Sequence, residues 1–366
     1  MPPDPAGDVL DPHRRRGRGA ASNPAIRYER LRAERADDGW TRAPEDDLPP
    51  VRTHVIPDRS RTILARNTSP DVPFDRSINP YRGCEHGCTY CFARPSHAQL
   101  GYSPGLDFET RLVVKPEAAR LLDATLRRPG YLPRPIAIGT NTDAYQPIEK
   151  DYRIMREVLE VLWAFRHPVT VTTKGALVLR DLDLLGRLGR AGLASVAISL
   201  TTLDHRLSRA MEPRAAAPTR RVAAIRALAG QGVPVHVNTS PIVPALNDHE
   251  LERLLEAAAL AGARSASYTT LRLPLEVSAL FQEWLRRYCP DRADRVMGRV
   301  REMHGGRDYD PAWGKRMKGE GVHAKLIARR FAVATARFGF DAAPATLRTD
   351  LFAVPARPGD QLSLGL

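Results

Sequence analysis

The sequence predicts an α/β fold built as a partial (β/α)6 TIM-like barrel. Short apolar, β-branched segments alternate with amphipathic segments of helical period between about residues 75 and 275. Alternating β and α units favour a parallel sheet, and runs such as Val169-Thr-Val-Thr-Thr are typical of strands covered on both faces. Six such units suggest a barrel that stays partly open.

The elements follow one another in a regular order. The predicted strands cover 77–82, 135–140, 168–174, 194–201, 233–239 and 265–272. The predicted helices between them cover 116–127, 150–166, 179–191, 217–231 and 248–262. In complete barrels the active site lies at the carboxyl ends of the strands, so functional side chains are expected in the loops that follow them.

The chain divides into four predicted regions. Residues 1–60 form a basic, proline-rich, partly disordered arm, with a brief helix at 26–35, and residues 70–275 form the barrel core. Residues 276–345 form a helical extension, with helices at 276–288, 292–304 and 322–338, that could cover the open side of the barrel. Residues 346–366 form a tail. The arm contains His13-Arg-Arg-Arg-Gly-Arg-Gly-Ala-Ala-Ser-Asn-Pro, which could touch nucleic acid or a partner, although a solvated tail is the commoner explanation.

The composition bounds the class of protein. With 366 residues and 43% hydrophobic content the chain can bury a large core, and its N-terminus has no signal-like apolar region. No segment is apolar over the length of a membrane span, so we expect a cytoplasmic protein without membrane contact. The net charge is +13, with six lysines against 49 arginines. This excess could reflect phosphate recognition or coding bias, and the sequence leaves both open.

Three of the four cysteines lie close together. Cys84, Cys88 and Cys91 have the spacing C-x3-C-x2-C, with Gly83 and Gly87 beside them to allow a tight turn. Such crowding suits thiolates around one soft metal centre better than disulfides, and it fits a reducing compartment. The bland alternative is a zinc knuckle of these cysteines with His86 or His97, but zinc modules usually add a distant second pair of ligands. The fourth cysteine, Cys289, is expected to be structural.

The stretch Gly83-Cys-Glu-His-Gly-Cys-Thr-Tyr-Cys91 resembles the cluster loop of radical S-adenosylmethionine (SAM) enzymes. The resemblance implies a [4Fe–4S] cluster held by Cys84, Cys88 and Cys91, with SAM on the open iron. It implies reductive cleavage of SAM to a 5′-deoxyadenosyl radical. It also places Tyr90 against the adenine and implies a partial barrel whose first strand precedes the cluster loop.

A polar loop follows the second predicted strand. Its sequence, Gly139-Thr-Asn-Thr-Asp-Ala-Tyr-Gln-Pro-Ile-Glu149, is partly explained by ordinary turn chemistry. The phrase also resembles the Thr-Asp-x-Tyr-Gln-Pro-x-Glu motif of the spore photoproduct lyase-like branch, often labelled DNA repair photolyases. The resemblance implies that Asn141, Thr142 and Asp143 bind the amino group of SAM. It leaves Tyr145 and Glu149 as candidate catalytic residues, although Glu149 could instead cap the next helix.

Other candidates lie at later strand ends. The resemblance implies that Lys174 reaches the SAM carboxylate and that Ser199 bonds its ribose, where a solvated lysine and a strand-end hydroxyl would be the defaults. Arg214, in a Glu-Pro-Arg phrase, is a candidate anchor for a carboxylate or phosphate, with a surface salt bridge as the alternative. Arg272, in Leu-Arg-Leu-Pro, is expected at the barrel mouth and is a third catalytic candidate.

Two functions from different classes follow. The first is a radical SAM enzyme that abstracts hydrogen from an unknown substrate, with DNA or RNA as the candidates, and takes its electron from a donor such as flavodoxin or ferredoxin. The second is a nucleic-acid-binding protein whose metal centre is only structural. The phrases in the arm and at the strand ends indicate an uncharacterised subgroup of the lyase-like branch rather than the lyase itself.

Overall fold

The strands are short and mostly parallel. A computed structural model describes residues 15–28, 50–341 and 343–357 of the chain. The strands within these ranges are β1 (His54–Pro57), β2 (Leu64–Arg66), β3 (Arg76–Ile78), β4 (Tyr81–Arg82), β5 (Arg111–Val114), β6 (Ile136–Ile138), β7 (Val169–Thr173), β8 (Ala194–Ser199), β9 (Val235–Ile242) and β10 (Ser265–Thr270).

Helices connect the strands and extend the chain beyond them. They are α1 (Asp107–Thr110), α2 (Ala118–Leu126), α3 (Glu149–Tyr152), α4 (Ile154–Ala164), α5 (Leu182–Arg190), α6 (His205–Met211), α7 (Pro218–Gly230), α8 (Leu251–Leu260), α9 (Glu276–Tyr288), α10 (Ala293–Met303) and α11 (Gly321–Arg337). No helix in the described part of the chain combines the length and apolar composition that a bilayer-spanning segment requires.

The main sheet has the order β10-β9-β8-β7-β6-β3-β2. Strands β3, β6, β7, β8, β9 and β10 are parallel, and β2 adds to one edge in the antiparallel direction. One face of each central strand is apolar: Val171, Ile198 and Val237 are fully or almost fully buried in a core that includes helix residues such as Leu188 and Ile225. This architecture confirms the prediction of a partial barrel with six parallel strands.

Two predicted elements are divided in the structure. The segment 77–82 was expected to be one strand, but β3 ends at Ile78 and β4 starts at Tyr81 in a second sheet of order β1-β5-β4. Pro80 lies between them, and a proline has no N–H to continue a ladder. The predicted helix 150–166 is similarly interrupted at Arg153, which has a left-handed backbone with φ of 54°.

Part of the N-terminal arm is packed rather than solvated. Arg18, Ala20, Ala21 and Ser22 are all buried, which contradicts the solvated-tail interpretation for this part of the basic run. Strand β1 pairs in parallel with β5, so the end of the arm belongs to the small sheet. Residues 1–14 and 29–49 lie outside the described residues, as does most of the helix predicted at 26–35, of which only a turn at 27–28 is described.

The C-terminal segment crosses the amino-terminal end of the barrel. The backbone N–H groups of Asp341, Arg348 and Ala353 donate to the carbonyls of Arg264, Gly192 and Phe165, at 2.7, 2.9 and 3.1 Å. The accepting residues precede β10, β8 and β7 in turn. Residues 346–357 of the predicted tail are therefore docked on the barrel, and residues 358–366 lie outside the described ranges.

The connection between α10 and α11 reaches both edges of the main sheet. At the β10 edge, the N–H of Thr270 donates to the carbonyl of Met317 at 2.9 Å. Near the β2 edge, Arg316 donates to the hydroxyl of Ser69 at 2.5 Å and pairs with the carboxylate of Asp71. This segment thus connects the two edges of the main sheet across the lateral opening of the barrel.

Candidate active site

The cysteine loop begins directly after β4. All three of its cysteines are free thiols, with Cys84 and Cys88 buried and Cys91 partly buried. Gly83 and Gly87 have φ values of 78° and 66°, a backbone that side chains rarely adopt. A Cβ on Gly83 would also lie 2.6 Å from Leu112 and 2.8 Å from the carbonyl of Phe108, so the loop is packed too tightly there for any other residue.

The donor set fits an iron–sulfur cluster. Burial raises the pKa of Cys88 to about 12, and burial together with nearby Asp143 raises the pKa of Cys84 well above its usual value. Such thiols become thiolates when a metal centre supplies compensating positive charge. Three reduced thiols on one tight loop can ligate three irons of a four-iron cluster and leave the fourth open.

The geometry fits a single zinc ion poorly. Within the described ranges, no three His, Cys, Asp or Glu side chains converge closely enough to hold one ion. The two histidines of the zinc alternative also have other neighbours: His86 Nδ1 lies 3.2 Å from Asp143 Oδ2, and the His97 ring packs against Tyr102 and Phe108. Cysteines that ligate separate irons need no such convergence.

The loop after β6 holds the start of the cysteine loop. The hydroxyl of Thr142 donates to the carbonyl of Gly83 at 2.6 Å. The buried amide of Gln146 accepts from the N–H of Glu85 at 2.8 Å and donates to Thr142 Oγ1 at 3.1 Å. The Gln of the Thr-Asp-x-Tyr-Gln-Pro-x-Glu phrase therefore holds the cysteine loop in place, a role that the sequence alone did not indicate.

Asp143 connects this loop to the end of β7. Its carboxylate accepts from Thr173 Oγ1 at 2.6 Å and from the N–H of Lys174 at 2.7 Å. Burial alone would raise the pKa of this carboxyl, but the nearby His86 and these hydrogen bonds outweigh burial, so the pKa is lowered. Asp143 is thus a largely buried anion that sets the position of the Lys174 backbone.

A buried network surrounds Tyr90. Its hydroxyl donates to Glu212, which also accepts from Thr201 Oγ1 at 2.8 Å and pairs with the buried guanidinium of Arg221. Burial would raise the pKa of Glu212, but Arg221 and Lys174 lower it to about 2.

Lys174 faces the same network. Its Nζ lies 5.8 Å from the centre of the Tyr90 ring. Burial lowers the pKa of Lys174, but Cys88 and Glu212 raise it by more, so the net shift is upward and the side chain is a cation. A partly buried cation beside the cysteine loop can bind a carboxylate. Sequence patterns indicated Lys174 and Tyr90 but not Glu212, which is the first residue of the Glu-Pro-Arg phrase that contains Arg214.

Glu109 joins the N-terminal arm to the cysteine loop. Its fully buried carboxylate accepts from the N–H groups of Gly19 and Ala20, both at 2.8 Å, and from Arg94 Nη2 at 2.5 Å. Arg94 is also fully buried, and its Nε donates to the carbonyl of Cys88 at 3.0 Å. The arm therefore shares one hydrogen-bonded centre with a residue of the cysteine motif.

Three further predicted site residues, Asn141, Ser199 and Arg214, each contact a different part of the site. Asn141 donates to Ser96 Oγ at 3.2 Å, and the carbonyl of Ser199 accepts from Arg221 at 3.1 Å. Arg214 lies 3.2 Å from the Glu85 carboxylate, so its charge pairs with the cysteine loop itself.

Tyr145 and Glu149 lie together in a buried polar network behind the loop. Tyr145 donates to Asp181 at 3.1 Å. Glu149 accepts from Arg180 at 2.6 Å and from the hydroxyl of Tyr81. Since their polar atoms bond to these residues, the structure does not bring them to the cysteines.

Arg272 lies at the barrel mouth beside the cysteine loop. Its guanidinium carbon is 4.7 Å from the centre of the Phe92 ring, and Phe92 directly follows Cys91. It is also 6.0 Å from the ring of Tyr309, in the connection that crosses the lateral opening. Its position agrees with the mouth location expected from the sequence.

Comparisons with known proteins identify relatives of this arrangement. A sequence profile described as the Radical SAM superfamily matches residues 78–258. An uncharacterized protein of Mycobacterium tuberculosis is 37% identical over 288 residues, which cover 78% of this chain and 82% of the relative. An uncharacterized protein of Methanocaldococcus jannaschii is 30% identical over 173 residues, which cover 47% of this chain and 62% of the relative.

Solved structures show the same fold. A spore photoproduct lyase mutant with bound AdoMet and dinucleoside spore photoproduct aligns with a TM-score of 0.57 at 15% identity, covering 78% of this chain and 80% of that one. Spore photoproduct lyase complexed with dinucleoside spore photoproduct aligns with a TM-score of 0.56 at 17% identity and the same coverage. At this level of identity the likeness concerns the fold alone.

Proposed function

The chain belongs to the radical SAM superfamily of enzymes, and from that premise we propose that it cleaves SAM reductively and abstracts a hydrogen atom from its substrate. The cofactors of this superfamily, a [4Fe–4S] cluster and SAM, supply the electron and the 5′-deoxyadenosyl radical when bound. The single observation that carries the proposal is the loop of three free, mostly buried cysteines after the first strands of a partial barrel.

We assign roles to residues from their positions. Cys84, Cys88 and Cys91 would hold the cluster, and Tyr90 and Lys174 would contact SAM beside it. The contact between Lys174 and the Tyr90 ring supports this pair, because a partly buried cation above an aromatic ring can meet both a carboxylate and a base.

Several other predicted residues have supporting roles in this proposal. Thr142, Asp143 and Arg214 would position the loop rather than touch SAM, since their side chains bond to Gly83, Thr173 and Glu85. Asn141 and Ser199 stay candidates for direct contact with SAM.

The packed arm would help to exclude water and oxygen from the radical. Gly19 lies so close to the cysteine loop that a Cβ there would be 1.8 Å from the carbonyl oxygen of Gly87. The segment between α10 and α11 is part of the predicted extension 276–345. It would cover the lateral opening of the barrel core, residues 70–275. With the arm and this segment in place, the carboxyl end of the barrel would be the route by which a substrate enters.

We propose nucleic acid as the substrate class. The net charge of +13 supports a polyanionic partner. Aromatic and cationic side chains meet at the mouth: Arg272 lies over Phe92, and Trp313 in the neighbouring connection is 63% exposed. Exposed rings next to cations are suited to stack on unpaired bases. An electron donor such as flavodoxin or ferredoxin and a cytoplasmic location complete the proposal.

The test is the detection of 5′-deoxyadenosine. The protein is reconstituted anaerobically with iron and sulfide, reduced with dithionite, and incubated with SAM. The wild-type protein and Cys289→Ala should both release 5′-deoxyadenosine, since Cys289 lies at the end of α9, outside the C-x3-C-x2-C loop. Cys88→Ala should bind far less iron and release none. Equal loss on changing Cys289 would contradict the three-cysteine site.

The same samples separate the enzyme from a nucleic-acid-binding protein with a structural metal centre. Binding to single-stranded DNA or RNA should weaken steeply with salt under either hypothesis. Only the enzyme consumes SAM. Binding without any SAM cleavage in a fully loaded protein would favour the second function.

A further inference from the structure

The inner face of the barrel carries small and polar side chains. The register aligns Thr172, Ala197, His236 and Ser265 in one row across β7 to β10, on the face opposite the buried valines and isoleucines. The next row toward the mouth contains Ser199, Asn238 and Ser267. Complete barrels fill their interior with bulky branched residues, so this lining differs from that of a complete barrel.

His236 is held neutral within this face. Its Nδ1 and Nε2 each lie 2.8 Å from a serine hydroxyl, of Ser265 and Ser267 respectively. Ser267 donates its own proton to Asn238 Oδ1 at 2.7 Å, so it must accept from Nε2, and Nδ1 is then free to accept from Ser265. Burial lowers the pKa of His236 to about 4, in agreement with a neutral ring.

Several polar groups on this face have no protein partner. Among the described residues, nothing accepts from Asn238 Nδ2, and the hydroxyls of Thr170 and Thr172 bond to no other group. All three residues are partly exposed, so solvent reaches them inside the barrel. A cavity of about 540 Å³ at the amino-terminal end of β8 to β10 is also lined in part by His236.

This face lies under the proposed cofactor site. Thr172, on β7, is two residues before Lys174, which lies just beyond the strand. Asn238 is aligned with Ser199 at the end of β8. Side chains in successive rows of one face are about 7 Å apart along a strand. A group bound against Thr172 and Asn238 would therefore be within reach of chemistry at the cysteine loop.

We propose that this inner face binds a neutral part of the substrate that carries several hydrogen-bond donors and acceptors. Asn238, Thr170 and Thr172 make the direct contacts, and His236 positions Asn238 through Ser267. A hydrocarbon chain would leave these polar groups unpaired. A phosphate would find no lysine or arginine on β7 to β10, and the cation just after β7, Lys174, is assigned to SAM. The shared ligand chemistry is that of a nucleobase or a sugar. The inference rests on the proposed function for its place beneath the cofactors.

Saturation-transfer NMR on the reconstituted holoenzyme with SAM tests this site. The probes are thymidine, methyl β-glucoside and 1-hexanol, which represent a base, a sugar and an apolar chain. Asn238→Leu and Thr172→Val remove polar atoms with little change of volume. The matched control is Thr335→Val, whose hydroxyl bonds to the Phe331 carbonyl on the outer helix α11.

We expect at least one polar probe to bind the wild-type protein and the control equally, and at least tenfold more weakly to Asn238→Leu and Thr172→Val. Comparison of thymidine binding with glucoside binding shows whether the site prefers a nucleobase or a sugar. Preferred binding of hexanol, no binding of either polar probe, or unchanged binding to both variants overturns the inference. 5′-Deoxyadenosine is measured in the same samples without probes, so failure of the proposed function appears separately. If thermal unfolding shows that Asn238→Leu or Thr172→Val does not fold, Thr170→Val takes the place of that variant.

Discussion

Glu109→Ala is the most informative test of how the cysteine loop is held. The carboxylate of Glu109 pairs with the fully buried Arg94 and accepts two backbone hydrogen bonds from the arm. Removing one partner of a buried ion pair leaves an uncompensated charge, at a cost of roughly 3–5 kcal/mol. Two arm N–H groups also lose their acceptor, at about 1–3 kcal/mol each if they stay buried.

The arm can limit this loss by detaching, because its N–H groups then reach water. We therefore expect a fall of about 3–5 kcal/mol in the free energy of unfolding, together with loss of iron. The loss of iron follows because Arg94 also holds the carbonyl of Cys88. Glu117→Ala is the matched control, since Glu117 and Arg120 form an exposed pair on the surface that contributes about 0–1 kcal/mol.

The assay measures guanidinium unfolding of the reconstituted protein, its iron and sulfide content, and the electron paramagnetic resonance signal of the reduced cluster. Gly19→Ala tests the same contact from the arm, where a Cβ would overlap the carbonyl of Gly87. Gly230→Ala is its control, because nothing lies within 4 Å of that position. If Glu109→Ala and Gly19→Ala match their controls in stability, iron content and signal, the arm does not support the loop and the reasoning is wrong.

Three further predictions concern the cofactor site and the reaction. Lys174→Ala should weaken SAM binding at least tenfold with unchanged iron content, whereas the exposed Lys150→Ala should not; equal affinities measured by calorimetry would contradict the assignment. Glu212 should stabilise the fold by on the order of 3 kcal/mol above its unfolded pKa of about 4.5, and this contribution should disappear as the pH falls toward 2. Unfolding curves of the wild-type protein and Glu212→Gln should therefore converge in acid, and a constant difference would refute the shift. The reduced protein with SAM and a dimer-containing oligonucleotide should not repair spore photoproduct efficiently. Between Phe92 and Tyr288 the chain has no cysteine whose thiol could return a hydrogen atom to the substrate radical. Multiple turnovers to thymine would contradict this prediction.

Local patterns in the sequence were sufficient for the architecture and the cluster loop. The alternation of apolar strands and amphipathic helices predicted all six parallel strands, with ends that differ from the observed ones by a few residues. The cysteine spacing and its glycines predicted the tight loop, because three thiols within eight residues allow few other arrangements. Both signals lie within short stretches of chain, where residue type and spacing determine the local backbone.

The supports of the site were decided only by tertiary structure. The arm looked like a solvated basic tail, yet Gly19 and Ala20 bond to Glu109 across about 90 residues of sequence. Glu212 lies 122 residues from Tyr90, and no local pattern distinguishes it from a surface glutamate.

Tyr145 and Glu149 belong to a polar phrase whose residue types indicate a functional site as a whole. The fold directs these two side chains into a buried network with Asp181 and Arg180, while Thr142 and Gln146 of the same phrase face the cysteine loop. A buried charge or hydroxyl has its role set by the partner it meets, and that partner is known only when distant segments are packed together.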